Sequence, residues 1–88
     1  MLLLAFVAAC QTTPPVQEMS DARQAIAVAK KAGAEQVALT QLRAAEEHLD
    51  RAEKRISERA YSQARRDATQ AKESALDALA LTETTAND

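Results

Sequence analysis

Two side chains in this chain of 88 residues could do imidazole or thiolate chemistry: His48 and Cys10, each the only residue of its type. His48 stands in Glu46-Glu47-His48-Leu49-Asp50. Carboxylate-rich metal sites in helical bundles use Glu-x-x-His, and the residue three before His48 is Ala45, so that ligand pair does not form. A solvated polar helix face accounts for His48 without a metal. No Ser/His/Asp set can be assembled around a single exposed His, and the sequence holds no Gly-rich phosphate loop. Cys10 cannot make an intrachain disulfide, because there is no second Cys. What its thiol can do depends on its surroundings.

Those surroundings are distinctive. Residues 1–9, MLLLAFVAA, form an uninterrupted apolar run, too short to span a hydrocarbon layer but of the length of a secretory h-region. The run ends in Val7-Ala8-Ala9-Cys10, which resembles the lipobox of bacterial lipoproteins: an aliphatic residue, two small ones, then the modified Cys. The resemblance implies a diacylglyceryl thioether on Cys10 and acylation of its freed amine. Two or three acyl chains, at roughly 0.8 kcal/mol per buried CH2, anchor a domain stably where one chain would not. With its only thiol given to lipid, the chain lacks the parts for nucleophilic catalysis, and it reads as a non-enzyme with no cofactor. A short buried element is the other reading of the apolar run. Gln11-Thr12-Thr13-Pro14-Pro15 speaks against it, since tandem prolines favour an extended, solvated tether over residues 10–18. Signal peptides normally open with Lys or Arg, whereas Met1 is followed by Leu2-Leu3-Leu4, so either the true start lies upstream, which is the preferred reading, or the signal is inefficient. In enteric-type sorting, Asp after the lipidated Cys holds a lipoprotein at the inner membrane. Gln11 is not Asp, and the resemblance implies the outer membrane, facing the periplasm.

The elements that follow must be small-cored. Ala fills 21 of the 88 positions, so a 47% apolar composition supplies little apolar volume, and a large enclosed active site is excluded. A net charge of −2 excludes phosphate binding driven by overall charge. One Tyr and one Phe, the latter at position 6, give no stacking platform for nucleic acid.

Three helices are predicted, over about 19–32, 38–57 and 60–82, with a frayed tail at 83–88. Ser20-Asp21 reads as an N-cap with a first-turn carboxylate. Ala22, Ala25, Ile26, Ala29 and Ala32 recur at helical spacing, and Lys30-Lys31 precede Gly33, the only glycine, as C-cap. Leu42, Ala45, Leu49, Ala52 and Ile56 form a second stripe. Ala64, Ala68, Ala71, Ala75 and Ala78 form a third, spaced four, three, four, three, as a heptad-like seam. Alanine there permits close backbone approach and wants a partner helix. The competing explanation is that Ala is simply the best helix former.

From residue 42 to 78 the combined stripe advances 36 residues in ten steps, the period of one straight helix. Ser57, Tyr61 and Ser62, weaker helix formers, argue for a break. The chain from Val16-Gln17-Glu18-Met19 through Ala32-Gly33-Ala34-Glu35, Leu49-Asp50-Arg51-Ala52 and Tyr61-Ser62-Gln63-Ala64 resembles domain-of-unknown-function family 4398, Ala-rich helical proteins of the bacterial envelope. Residues 49–71 also resemble a tetratricopeptide helix pair, which implies a turn near residues 57–60, although Glu58-Arg59-Ala60-Tyr61 lacks the usual Gly and capping Asp. The expected fold is all-α, a small antiparallel helical hairpin or three-helix bundle with Ala-rich, coiled-coil-like packing.

Arg51, Lys54, Arg55, Arg59, Arg65 and Arg66 form a basic block broken by Glu53 and Glu58, with Glu47–Arg51 and Asp50–Lys54 in the favourable i,i+4 order. It reads as a solvated face whose excess charge suits anionic lipid headgroups or a cell-wall polymer. Covalent attachment to peptidoglycan is unsupported, since the terminal Lys used by the murein lipoprotein is missing. Two functional readings follow. In the first, the chain is a lipid-anchored structural or adaptor protein whose Ala seam pairs with a second copy or with another envelope protein. In the second it is a tetratricopeptide-like module binding a peptide or wall fragment. Short alanines favour the first, because a ligand groove needs larger anchors and convergent polar groups.

Overall fold

The computed structural model describes residues 13–87, which are all-helical apart from short connections. Four helices follow in order: α1 (Val16–Ala32), α2 (Ala34–Val37), α3 (Leu39–Ser57) and α4 (Tyr61–Asn87). The three long ones form an up-down-up bundle. α4, about 40 Å long at 1.5 Å per residue, packs against all the others. α1 and α4 run parallel: an Arg65–Glu18 ion pair joins them at one end, and Thr82 approaches Gly33 at the other.

α1 starts at Val16, inside the segment expected to be tether, and Ser20 is an exposed residue within the helix. The reason is Pro15. Its φ of −80° suits a helix entry, it has no amide to leave unsatisfied, and its carbonyl accepts the Met19 amide at 3.0 Å. Its ring is buried. Glu18 places a carboxylate in the first turn, where the helix dipole favours it. The tether therefore gives way to helix before residue 18.

Gly33 ends α1 with φ 103° and ψ 21°, and its amide bonds the Lys30 carbonyl at 3.0 Å, while Lys30 and Lys31 occupy the last turn. A Cβ on Gly33 would meet only ordinary contacts, 3.6 Å from Gln36 Oε1 and 4.0 Å from Thr82 Cγ2. The cost of Gly33→Ala is then the left-handed backbone alone. A loss of about 1–2 kcal/mol in urea unfolding is expected, and Gly33→Asn should lose less. The connection after Gly33 is a single helical turn, α2, closed by the Ala38 amide on the Ala34 carbonyl at 2.9 Å. Ala38, at φ −140° and ψ 43°, breaks the path, and α3 begins without a side-chain cap.

The reversal between α3 and α4 is made with neither Gly nor Pro. The Ala60 amide reaches back to the Arg55 carbonyl at 2.8 Å and the Arg59 amide to Ile56 at 2.9 Å, the paired bonds of a Schellman motif. The left-handed residue in that motif is Arg59, at φ 61°. Ser57 Oγ adds a bond to the Lys54 carbonyl at 2.6 Å, drawing the last turn of α3 closed. Arg59→Gly removes the Cβ penalty at the cost of a more flexible unfolded chain. A net gain of about 0.5–1 kcal/mol is expected from the midpoint of thermal unfolding.

α4 continues helical through the stretch expected to fray. The hydroxyls of Thr82, Thr84 and Thr85 donate to the carbonyls of Ala78, Ala80 and Leu81 at 2.8–2.9 Å, each within its own helix, and Thr82 is buried.

Candidate functional site

Cys10 and the lipobox residues Val7, Ala8 and Ala9 lie outside the described residues. The packing seam lies wholly within them. Ala64, Ala68, Ala71, Ala75 and Ala78 have no exposed surface and point inward from α4. Leu42, Ala45 and Ala52 are buried on α3, while Leu49 and Ile56 are half-buried beside them. Two clusters result. One unites Ile26, Ala29, Ala34, Ala38, Leu42, Ala45, Ala75 and Ala78, and the other unites Met19, Ala52 and Ala68, with Leu49 packed against both.

This corrects the expectation that the seam is a surface for another chain. Its partner helices are α1 and α3 of the same chain, and a residue with no exposed surface has nothing left to offer a second copy. Close approach is what the alanines allow, because a single methyl group per residue keeps the helix axes near the short end of the usual range.

His48 is also placed differently from expectation. It is half-buried on α3 facing α4, with Nδ1 3.6 Å from Asp67 Oδ1, too far for a hydrogen bond, and that nitrogen is buried without a partner. A carboxylate can orient an imidazole for proton transfer, but a nucleophile must complete the set. The hydroxyls of Ser57, Thr82, Thr84 and Thr85 are given to backbone carbonyls. Among the described residues no group of three or more His, Cys, Asp or Glu is placed to hold a metal ion.

Charge on the outside stitches helices together. Arg23 pairs with Glu53 at 3.6 Å and Lys30 with Glu46 at 2.9 Å, both joining α1 to α3. The Glu46 carboxylate holds the Lys30 ammonium above its ordinary pKa, first through their hydrogen bond and then through simple attraction. Arg65 Nε joins α4 to Glu18 of α1 at 3.1 Å. Arg55 pairs with Glu58 within the turn at 2.9 Å. The expected Glu47–Arg51 and Asp50–Lys54 pairs are not among the ion pairs within 4.0 Å, and all four side chains are exposed.

The feature that periodicity did not single out is a groove of about 220 Å³ between α1 and α4. Ala25, Val28, Leu76 and Leu79 are its apolar lining, and Asp21, Gln24 and Lys72 its polar lining. Val28 is 45% and Leu76 46% exposed, which is high for large apolar residues that face each other across two helices. The available signal was their position: Leu76 and Leu79 each follow an inward alanine by one residue, so they sit on the shoulder of the seam. No helix among the described residues is long and apolar enough to cross a membrane.

A family profile described as a domain of unknown function, DUF4398, matches residues 17–88. The chain belongs to this family. The match begins in the first turn of α1 and covers the rest of the bundle, so the family unit is the helical domain and includes the C-terminal part of α4. No curated protein and no solved structure matches the chain.

Proposed function

We propose that this protein is a lipid-anchored structural or adaptor component of the bacterial cell envelope, held through Cys10 at the periplasmic face of the outer membrane and acting through helix–helix association. The observation that carries the association is the α1–α4 groove. With the alanine seam closed inside the chain, Val28 and Leu76 keep nearly half their surface in water on one continuous face. Apolar residues gathered on a ridge between two rigid helices suit a partner helix, in a second copy or in another envelope protein. The tetratricopeptide-like reading fits less well, because the three polar residues lining the groove, Asp21, Gln24 and Lys72, are few for the convergent polar set that a peptide or wall fragment needs. The non-enzymatic reading rests on the sequence, which has one imidazole and one thiol, the latter at the end of the lipobox-like segment. Anchorage rests on Val7-Ala8-Ala9-Cys10.

Sedimentation of the protein over about a hundredfold range of concentration tests the self-association arm. The expected result is a mass that rises with concentration and a midpoint moved at least about tenfold by Leu76→Glu, since a buried charge without a partner costs several-fold in affinity for each kcal/mol. A monomeric mass throughout, with a melting temperature independent of concentration, overturns it. Incorporation of labelled palmitate that is abolished in Cys10→Ser tests the anchor.

A further inference from the structure

We infer that the end of the bundle formed by the α3–α4 turn is a docking surface for anionic phospholipid headgroups. The inference rests on the lipid-anchor reading above and adds a second, electrostatic contact to it.

Charge is distributed unevenly along the chain. Residues 51–66 carry six Lys or Arg and two Glu, whereas the rest of the sequence carries five Lys or Arg and eleven Asp or Glu. The fold collects this basic stretch at one end, because it covers the last two turns of α3, the Arg59 turn and the first turns of α4. Arg55 and Arg65 are already paired, with Glu58 and Glu18. Arg51, Lys54, Arg59 and Arg66 are exposed, and none of them is in an ion pair within 4.0 Å with another described residue. Of the carboxylates near this end, Glu18, Glu53 and Glu58 are paired with Arg65, Arg23 and Arg55, which leaves Asp50 and Asp67 against the four unpaired cations. The unmatched charge at this end is therefore positive.

The position of the anchor makes that charge meaningful. Thr13, where the described chain begins, lies at the same end, its carbonyl within 3.5 Å of Arg65 Nη2 on the first turns of α4. Cys10 is three residues away, a reach of at most about 10 Å. An acyl chain on Cys10 thus keeps the arginine end within reach of the headgroups, and its charge decides how closely it approaches them. Each Lys or Arg near an anionic leaflet strengthens binding roughly fivefold at moderate salt. The two or three acyl chains suffice to hold the protein at the bilayer, so the basic patch adds orientation to an anchor already made. The opposite end, with Gly33, Val37 and Leu81, stands away from the membrane.

The test uses the acylated protein in vesicles, with a donor fluorophore on Ser62→Cys near the turn or on Thr85→Cys at the far end, and an acceptor on lipid headgroups. Acylation leaves the introduced thiol as the only one to label. Transfer from position 62 should be at least about twofold greater in phosphatidylcholine with about 30 mol% phosphatidylglycerol than in phosphatidylcholine alone. It should fall to the lower value in about 0.5 M salt and in the combined variant Arg51→Gln, Lys54→Gln, Arg59→Asn, Arg66→Gln. Those four side chains are exposed, and far-ultraviolet circular dichroism confirms that the variant keeps its helices. Transfer from position 85 should not respond to lipid charge. Equal transfer from position 62 in both lipids, on protein that stays with the vesicles, overturns the docking while leaving the anchor standing. Equal transfer with salt-sensitive sedimentation on purified peptidoglycan assigns the patch to wall polymer and overturns it as well. Protein that carries no acyl mass on Cys10 and separates from the vesicles overturns both readings together.

Discussion

Leu42→Ala should cost about 2–5 kcal/mol, most of what a domain of this size has to lose. Leu42 is 1% exposed and stands among Ile26, Ala29, Ala38, Ala45, Ala75 and Ala78. Its neighbours are mostly single methyl groups on helical backbone, which cannot swing in to fill the space. The cavity would therefore stay open, and the cost should lie toward the upper end of the range. Urea unfolding followed by helicity checks this. A loss below about 1 kcal/mol would mean that the helices close over the gap, and that the cluster around Leu42 packs less rigidly than its burial implies.

The second large effect runs the other way, by adding volume. Ala71→Leu puts three extra carbons where α4 has no exposed surface. A loss of about 1–3 kcal/mol or more is expected, with the helices forced apart. This substitution also decides between the two explanations of the seam. Leu is nearly as good a helix former as Ala, so if the alanines served only local propensity the change would be close to neutral. Ala80→Leu, at an exposed position of the same helix, is the control and should shift stability by no more than about 0.5 kcal/mol.

These two substitutions mark what was legible in the sequence. The inward faces of α3 and α4 follow from apolar spacing alone, because every third or fourth residue is small or aliphatic and most of the residues between are polar or charged. Gly33 is equally plain, being the only glycine and standing just after two lysines. The start of α1 was not. Ser20-Asp21 carries a good capping pattern, but Pro15 can open a helix with its carbonyl and its fixed φ, and a pattern search prefers the side chain it recognises. The C-terminal turns of α4 were missed for a related reason. Thr82, Thr84 and Thr85 score as poor helix formers, yet each hydroxyl turns back on a carbonyl four residues earlier, and the packing of Thr82 near Gly33 is a tertiary fact.

The site was harder to see than the fold. His48 lies one residue before Leu49 in the α3 stripe, at the edge between core and solvent, and only the position of Asp67 across the bundle shows which way it faces. The α1–α4 groove combines shoulder positions from two helices about fifty residues apart in sequence. Periodicity within either helix registers the alanines and treats Val28 and Leu76 as surface.

The ten alanines with no exposed surface also shape how the protein responds to temperature. A buried methyl group freezes no rotamers on folding, so the conformational cost of assembling this core falls almost entirely on the backbone. It also exposes little apolar area when the bundle opens. Unfolding should then carry a heat-capacity increment below the usual range of about 12–15 cal/mol/K per residue, and the stability curve should be broad and shallow. A bundle of this kind has modest stability at its best temperature and gives up little of it on cooling or warming.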